Sequence, residues 1–160
     1  MSEQAEMREN LNRLGPSIYD IIKQDHEDVR KLFKQVTEME RFDADLYSHI
    51  KRELLVHMEA EETFFYPRIE NLQETRLITL ESYEEHDLGK QIINDIDMSD
   101  KTKKDWLYAK IKVLNEAIEM HMKEEETELF DKARKVLSHD DEHQIGRLFQ
   151  QGKRNAMYQH

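Results

Sequence analysis

Two short segments of the chain repeat the same pattern of residue types that bind metals. Residues 57–63, HMEAEET, return 64 residues later as residues 121–127, HMKEEET, with five of the seven positions identical. In each copy a glutamate follows a histidine by four residues, Glu61 after His57 and Glu125 after His121. Residues four apart on a helix point the same way, so each pair can present an imidazole and a carboxylate to one centre. The repeat therefore indicates metal-ligand chemistry.

A further histidine precedes each copy of the motif. His26 lies 31 residues before His57, and His86 lies 35 residues before His121, so each half reads as one helical hairpin. Mixed imidazole and carboxylate ligands suit iron or manganese, and the chain has no cysteine for copper(I) or structural zinc. A glutamate on an apolar face is strongly disfavoured unless it is paired or coordinated. The duplicated pattern thus favours a cation over purely structural histidines.

The elements that must position these residues are predicted to be helices. Only four glycines and two prolines occur in 160 residues, and apolar residues recur at helical spacing. The four long helices are expected at about 17–39, 43–66, 73–96 and from Ser99 onward, with Asp43 or Asp45 capping the second and Pro67 ending or kinking it. Short turns between them predict an all-α, up-down antiparallel four-helix bundle.

The bundle is expected to occupy residues 15–137, after a polar N-terminal arm at 1–14 that could be partly helical. Ser138 and Asp141 resemble a capping box for a short additional C-terminal helix that ends near Gln151, within a C-terminal helix and tail at 138–160. The net charge of −11 discourages contact with nucleic acid or anionic membrane surfaces. Without a secretory signal or a membrane-spanning run, a cytoplasmic protein is expected.

The motif set resembles the hemerythrin-like family, the HHE cation-binding domains, over about residues 17–137. That resemblance implies two iron ions joined by an oxo or hydroxo bridge. It assigns the metal ligands position by position: His26, His57, Glu61, His86, His121 and Glu125.

One position departs from the oxygen-carrying members of that family, which place another histidine four residues after the third-helix histidine. Here the residue is Lys90, and a protonated lysine has no lone pair for a metal. Four histidines and two bridging carboxylates would then leave open positions on both irons, unless another residue fills the gap. The departure weighs against reversible O₂ transport and favours small-molecule redox chemistry.

Arg30 and Lys90 each follow a predicted ligand histidine by four residues. They are candidates to support the metal site from outside its ligands: they could brace Glu61 and Glu125 or steer an anion such as nitrite or peroxide. Alternatively, their long stems reach the bundle surface.

Other residues near the motifs carry simpler expectations. Tyr83 could gate the centre or carry an oxidising equivalent, but core packing is the commoner role, as it is for Tyr66. His139 and His143 form a separate pair that could bind an adventitious metal, although polar neighbours favour exposure. Four glutamates beside the motifs are expected to be solvated and outward-facing: Glu59, Glu62, Glu124 and Glu126.

Three functions follow from this pattern. The first is redox or nitrosative stress protection by a di-iron centre that handles O₂, NO or H₂O₂, with reductase or catalase-like turnover and an unknown electron donor. The second is an O₂ or iron sensor or store that binds without turnover. A helical interaction module without metal is a third, which the intact ligand set disfavours. The chain is expected to be a monomer or a homodimer.

Overall fold

The computed structural model describes residues 2–159, and every regular element among them is helical. The all-α prediction is therefore confirmed. The helices are α1 (Glu3–Arg13), α2 (Ile18–Met39), α3 (Ala44–Ala60), α4 (Arg76–Met98), α5 (Lys104–Glu124), α6 (Phe130–Val136) and α7 (His139–Gln159). A π-helical turn follows α3 at Glu61–Phe65 and another follows α5 at Glu125–Leu129, and the first leads into a 3₁₀ turn at Tyr66–Arg68.

Polar side chains begin three of the long helices. Ser17 Oγ accepts a hydrogen bond from the backbone N–H of Asp20 at 3.3 Å, and Asp43 Oδ1 accepts one from Leu46 at 2.8 Å. Ser138 and Asp141 exchange two reciprocal bonds, each 3.1 Å long. Each bond satisfies a donor that the first turn of a helix would otherwise leave unpaired. Of the two caps considered for the second helix, Asp43 is the one used, and the predicted capping box is confirmed.

Several predicted boundaries were wrong. Ser99 does not start α5; its backbone N–H bonds to the carbonyl of Ile96, so it ends α4. The backbone N–H of Thr102 donates a hydrogen bond to Oδ1 of Asp100 and keeps these residues in a turn, so α5 begins later than expected, at Lys104. The predicted start of α4 was three residues early. Local capping signals compete at such a boundary, and tertiary packing selects among them.

The last helix is much longer than predicted, because α7 runs to Gln159 rather than to about Gln151. Ile145 and Phe149 on this helix are fully buried. Burial of these side chains against α2 and α3 stabilises a helix whose sequence is otherwise strongly polar.

The core forms two apolar clusters. The first surrounds Tyr19, Phe65 and Phe130, and the second surrounds Phe33 and Leu114. Along α2 the first cluster takes residues 18–22 and the second takes residues 29–36. His26 lies between them on this helix, and the other motif histidines and glutamates occupy the same intermediate level.

The outer side of α4 is more exposed than its apolar pattern suggested. Leu77 and Leu80, which belong to the apolar pattern of this helix, are 80% and 39% exposed. No helix within residues 2–159 is long and apolar enough to cross a membrane.

Candidate metal centre

The six predicted ligand residues converge at the level between the two core clusters. They form two groups that share both glutamates, and the candidate ligand atoms within each group lie within 4.8 Å of one another. The first group is His26, His57, Glu61 and Glu125, and the second is Glu61, His86, His121 and Glu125. We call these the first position and the second position.

Distances across the two positions are those of groups aimed at a common centre. Glu61 Oε1 lies 2.9 Å from His57 Nε2 and 3.2 Å from His86 Nε2, so one carboxylate oxygen faces both positions. Glu125 uses one oxygen for each side: Oε1 is 3.3 Å from His26 Nε2, and Oε2 is 3.6 Å from His121 Nε2. The arrangement follows the sequence duplication, because each hairpin supplies the two histidines of one position and one of the two shared glutamates.

The buried carboxylates and imidazoles of this cluster strongly shift one another's pKa values. Burial and the neighbouring Glu61 carboxylate raise the pKa of Glu125. Burial acts in the same direction on Glu61, but the adjacent imidazoles, His57 foremost, hold the pKa of Glu61 well below its ordinary value. Two buried carboxylates so close together repel each other when both are ionised, so positive charge is required between them.

The neighbouring carboxylates raise the pKa of the histidine rings in this cluster. Burial lowers the pKa of His57, but Glu61 and Asp25 outweigh burial and raise it to about 10. In His86, Glu61 and Glu62 likewise overcome the effect of burial and raise the pKa to about 9. The protein therefore supplies a negative pocket that stabilises positive charge on its imidazoles, and a metal cation would serve the same purpose.

Several buried polar atoms of the centre have no hydrogen-bond partner among residues 2–159. They include both oxygens of Glu61, Oε1 of Glu125, Nε2 of His57 and Nε2 of His26. Orphaned buried acceptors are costly and rare. Imidazole nitrogens and carboxylate oxygens are also a donor set that suits iron or manganese. The residues present thus fit a pair of metal ions.

A family model of the hemerythrin HHE cation-binding domain matches residues 17–133. The chain belongs to this family. Its membership confirms the resemblance drawn from the motifs and agrees with a His/Glu metal site in a helical bundle. Comparison with curated proteins and with solved structures finds no match.

In this hemerythrin HHE domain, a π-helical turn begins at each motif glutamate. The backbone N–H of Glu61 faces the carbonyls of both His57 and Met58, and the N–H of Tyr66 bonds to the carbonyl of Glu61 five residues back. The second copy repeats this geometry, with Phe130 bonded back to Glu125. An α-helix would rotate a residue five positions on by about 140° away from the glutamate. The wider π turn instead keeps Tyr66 on the side of the centre, and Phe130 takes the equivalent place in the second turn.

Tyr66 is the residue at the centre that sequence reasoning missed, since it was assigned to packing. Its hydroxyl donates a hydrogen bond to Glu125 Oε2 and lies 3.2 Å from His86 Nε2. The side chain is fully buried. Residue 130, which corresponds to Tyr66 in the duplication, is a phenylalanine and brings no hydroxyl. The residues that follow the two π turns therefore differ by one hydroxyl.

Two carboxylates orient the motif histidines from outside. Asp25 Oδ2 accepts a hydrogen bond from Nδ1 of His57 at 2.8 Å, and Glu85 Oε1 accepts one from Nδ1 of His121 at 2.9 Å. Each carboxylate immediately precedes the other histidine of its own hairpin. Hydrogen bonds of this kind fix the ring and increase its basicity as a ligand. Their adjacency to His26 and His86 was the only available sequence signal.

Glu62 and Glu126 were predicted to be solvated, and this was wrong. Glu62 Oε1 accepts a hydrogen bond from Nδ1 of His86 at 2.9 Å, and Glu126 Oε2 lies 3.7 Å from Nδ1 of His26. Each of these carboxylates also pairs with a cation, Glu62 with Lys90 and Glu126 with Arg30. The helical rotation at the π turn directs both side chains between neighbouring helices rather than to solvent. Glu59 is exposed as expected.

Arg30 and Lys90 pair with Glu126 and Glu62 rather than with the motif glutamates that they were predicted to brace. Arg30 Nη2 lies 2.7 Å from Glu126, and Lys90 Nζ lies 2.9 Å from Glu62. Neither cation contacts Glu61 or Glu125 among the ion pairs of the described chain. The expectation that they brace the motif glutamates directly is therefore corrected, because an intervening carboxylate takes the contact.

The remaining candidates lie away from the centre. The hydroxyl of Tyr83 donates to Glu70 at 2.7 Å, while its ring packs against Tyr66 at 5.1 Å between centroids. His139 is exposed, whereas Nδ1 of His143 lies 2.8 Å from the carbonyl oxygen of Gly15. His143 therefore anchors α7 to the segment before α2.

Proposed function

We propose that the chain binds two non-haem iron ions, one at each position, through His26, His57, Glu61, His86, His121 and Glu125. The observation that carries this proposal is the pair of fully buried glutamates that both histidine pairs share. Carboxylates with unpaired oxygens between two sets of imidazoles suit bridging ligands of two cations. Family membership supports a bound cation.

The proposed architecture is an up-down antiparallel four-helix bundle formed by α2, α3, α4 and α5. The order in which the helices meet the two core clusters supports it. α2 and α4 contribute to the first cluster and then to the second, and α3 contributes in the reverse order. α5 contributes to the second cluster, and its continuation through the π turn and α6 contributes to the first. Alternating directions of this kind bring the four histidines to a single level.

The two positions are proposed to differ in the hydrogen-bonding groups around them. Tyr66 places a protonated hydroxyl beside His86 at the second position, where it donates a hydrogen bond to Glu125. The residue that corresponds to Tyr66 in the second copy is Phe130, which has no hydroxyl. We therefore expect the two positions to bind the exogenous ligand unequally, while the expectation of open sites on both stays a prediction.

A pair of iron ions would supply reversible redox change and binding of a small ligand. The chain limits which ligands enter, because the motif histidines are at most 5% exposed. Such enclosure favours O₂, NO or H₂O₂ over larger substrates. Tyr66 holds a proton at its hydroxyl, between Glu125 and His86, where it can donate a hydrogen bond. We propose a role in redox or nitrosative stress protection, with an external electron donor where the reaction needs one.

An O₂ or iron sensor or store that binds without turnover is the second candidate, and the depth of the centre favours it. A buried site protects a bound ligand from solvent and from reaction partners. The two functions share the metal ligands and differ in whether the small molecule is consumed.

The discriminating experiment follows NO and H₂O₂ with electrodes after addition of iron-loaded protein, with a chemical reductant in excess for NO to supply the electrons for repeated turnover. Catalytic consumption over many equivalents, lost in His57→Ala, supports the stress-protection function. Uptake that stops at one equivalent and reverses on removal of the gas supports the sensor or store. Identical consumption by wild type and His57→Ala would contradict the first proposal.

A further inference from the structure

The C-terminal helix α7 lies outside the matched domain but packs directly onto it. It contacts α2, α3 and the π turn at residues 61–65. Two glycines permit the close approach: a Cβ atom at Gly146 would lie 2.7 Å from the carbonyl oxygen of Pro16, and one at Gly152 would lie 2.1 Å from the ring of Phe64. Such tight contacts define the position of α7 against the hairpin that carries His57.

Two side chains of α7 reach the surroundings of His57. The Nζ atom of Lys153 donates to Asp25 Oδ2 at 2.6 Å, and this same oxygen accepts the hydrogen bond from His57 Nδ1. The ring of Phe149 packs edge-on against the His57 ring, with 5.9 Å between centroids. The chain of contacts therefore runs from α7 through one carboxylate oxygen to a predicted metal ligand.

The equivalent carboxylate in the other hairpin has a different environment. Glu85 holds His121 as Asp25 holds His57, but it lies beside Glu124, and burial together with Glu85 raises the pKa of Glu124 to about 7. The duplication supplies the histidine and its carboxylate in both halves. Only the first half receives a cation from α7 on this carboxylate, among the described ion pairs.

We propose that Lys153 is a positioning residue of the metal centre. By holding the Asp25 carboxylate against Nδ1 of His57, it fixes the ring with Nε2 toward Glu61 and strengthens cation binding at the first position. A charge-assisted bond of this length restrains the carboxylate more firmly than water does. This inference rests on the proposed metal-binding function and adds α7 to the residues that determine it.

The test uses Co²⁺ as a probe and compares two backgrounds. His121→Ala leaves the first position with its complete ligand set, and His57→Ala leaves the second. Direct hydrogen-bond partners of metal ligands typically contribute on the order of 10- to 100-fold to metal affinity. Lys153 acts one step further out, through Asp25, so Lys153→Met should weaken Co²⁺ binding by about 3- to 10-fold in the His121→Ala background. It should leave the affinity in the His57→Ala background unchanged. Lys153→Arg, which keeps the charge, should restore most of the lost affinity.

Lys90→Met is the matched control, because Lys90 holds Glu62 against His86 at the second position. Lys90→Met should weaken Co²⁺ binding in the His57→Ala background and leave it unchanged in the His121→Ala background. An equal loss in both backgrounds for Lys153→Met would reduce its role to general stability of the fold. No loss in the His121→Ala background would overturn the proposal.

A second measurement needs no metal. In metal-free protein, the Nδ1 proton of His57, observed by ¹H–¹⁵N NMR of the histidine rings, should shift in Lys153→Met while that of His121 does not. An unchanged His57 signal overturns the positioning role. If the wild type binds no Co²⁺ but the NMR shift occurs, the proposed metal function fails and the coupling from α7 to His57 stands.

Discussion

Filling the centre with divalent cations should release protons near neutral pH. In the folded chain, burial lowers the pKa of His57 and His86, but neighbouring carboxylates raise it to about 10 and about 9. Both rings therefore carry two protons at pH 7.5. A ligand imidazole must give up the proton on its coordinating nitrogen. His57 and His86 should thus each release about one proton, about two per chain. Burial lowers the pKa of His26, but Glu125 and Glu126 outweigh burial and raise it, so His26 adds to the protons released at the first position.

The magnitude follows from linkage. The apparent affinity of each position should rise about tenfold per pH unit between pH 6.5 and 8.5, flattening near pH 9 at the second position and near pH 10 at the first. Calorimetry with Mn²⁺ in buffers of different ionisation enthalpy measures the proton count directly. His139→Gln, which alters an exposed histidine, is the control and should release as many protons as wild type. Binding that is independent of pH and of buffer would refute this account of the charges.

Three further outcomes follow from the buried polar groups. Tyr66→Phe removes the hydroxyl that contacts Glu125, so the free energy of unfolding of metal-free protein should fall by about 1 to 3 kcal/mol in urea, whereas the exposed Tyr158→Phe should have no effect. Because the folded-state pKa values of His57 and His86 lie above the ordinary 6.5, their stabilisation of metal-free protein is complete below about pH 6.5. It should be lost as the pH rises through about 9 to 10, seen as a falling melting temperature. Loaded protein should melt above metal-free protein at pH 7.5, since the positions exist only in the folded chain; equal melting temperatures would contradict specific binding.

The convergence of the motif residues was predictable because it depends on α-helical periodicity alone. His57 and Glu61 lie within one turn at the end of α3, and His121 and Glu125 repeat this at the end of α5. Up to that point the helix is regular, so the four-residue spacing determines which side the two side chains share. The duplication then indicates that the two hairpins act together.

The inner role of Tyr66 was not predictable by the same reasoning. A π turn has no strong sequence signature, and the 3.6-residue period directs Tyr66 away from Glu61. The contact between Lys153 and Asp25 could not be predicted from the sequence for a different reason. Lys153 meets Asp25 across 128 residues of sequence, so this pair depends on how α7 packs rather than on any local pattern.

The central claim is that the shared glutamates and the two histidine pairs hold two iron ions. The most direct test is iron analysis of protein loaded anaerobically with Fe²⁺ and desalted, for wild type, His57→Ala, His121→Ala and the control His139→Ala. We expect about two iron atoms per chain in wild type and in the control, with a sharp loss in each of the other variants. Full occupancy in His57→Ala and His121→Ala, or no iron retained by wild type, would contradict it.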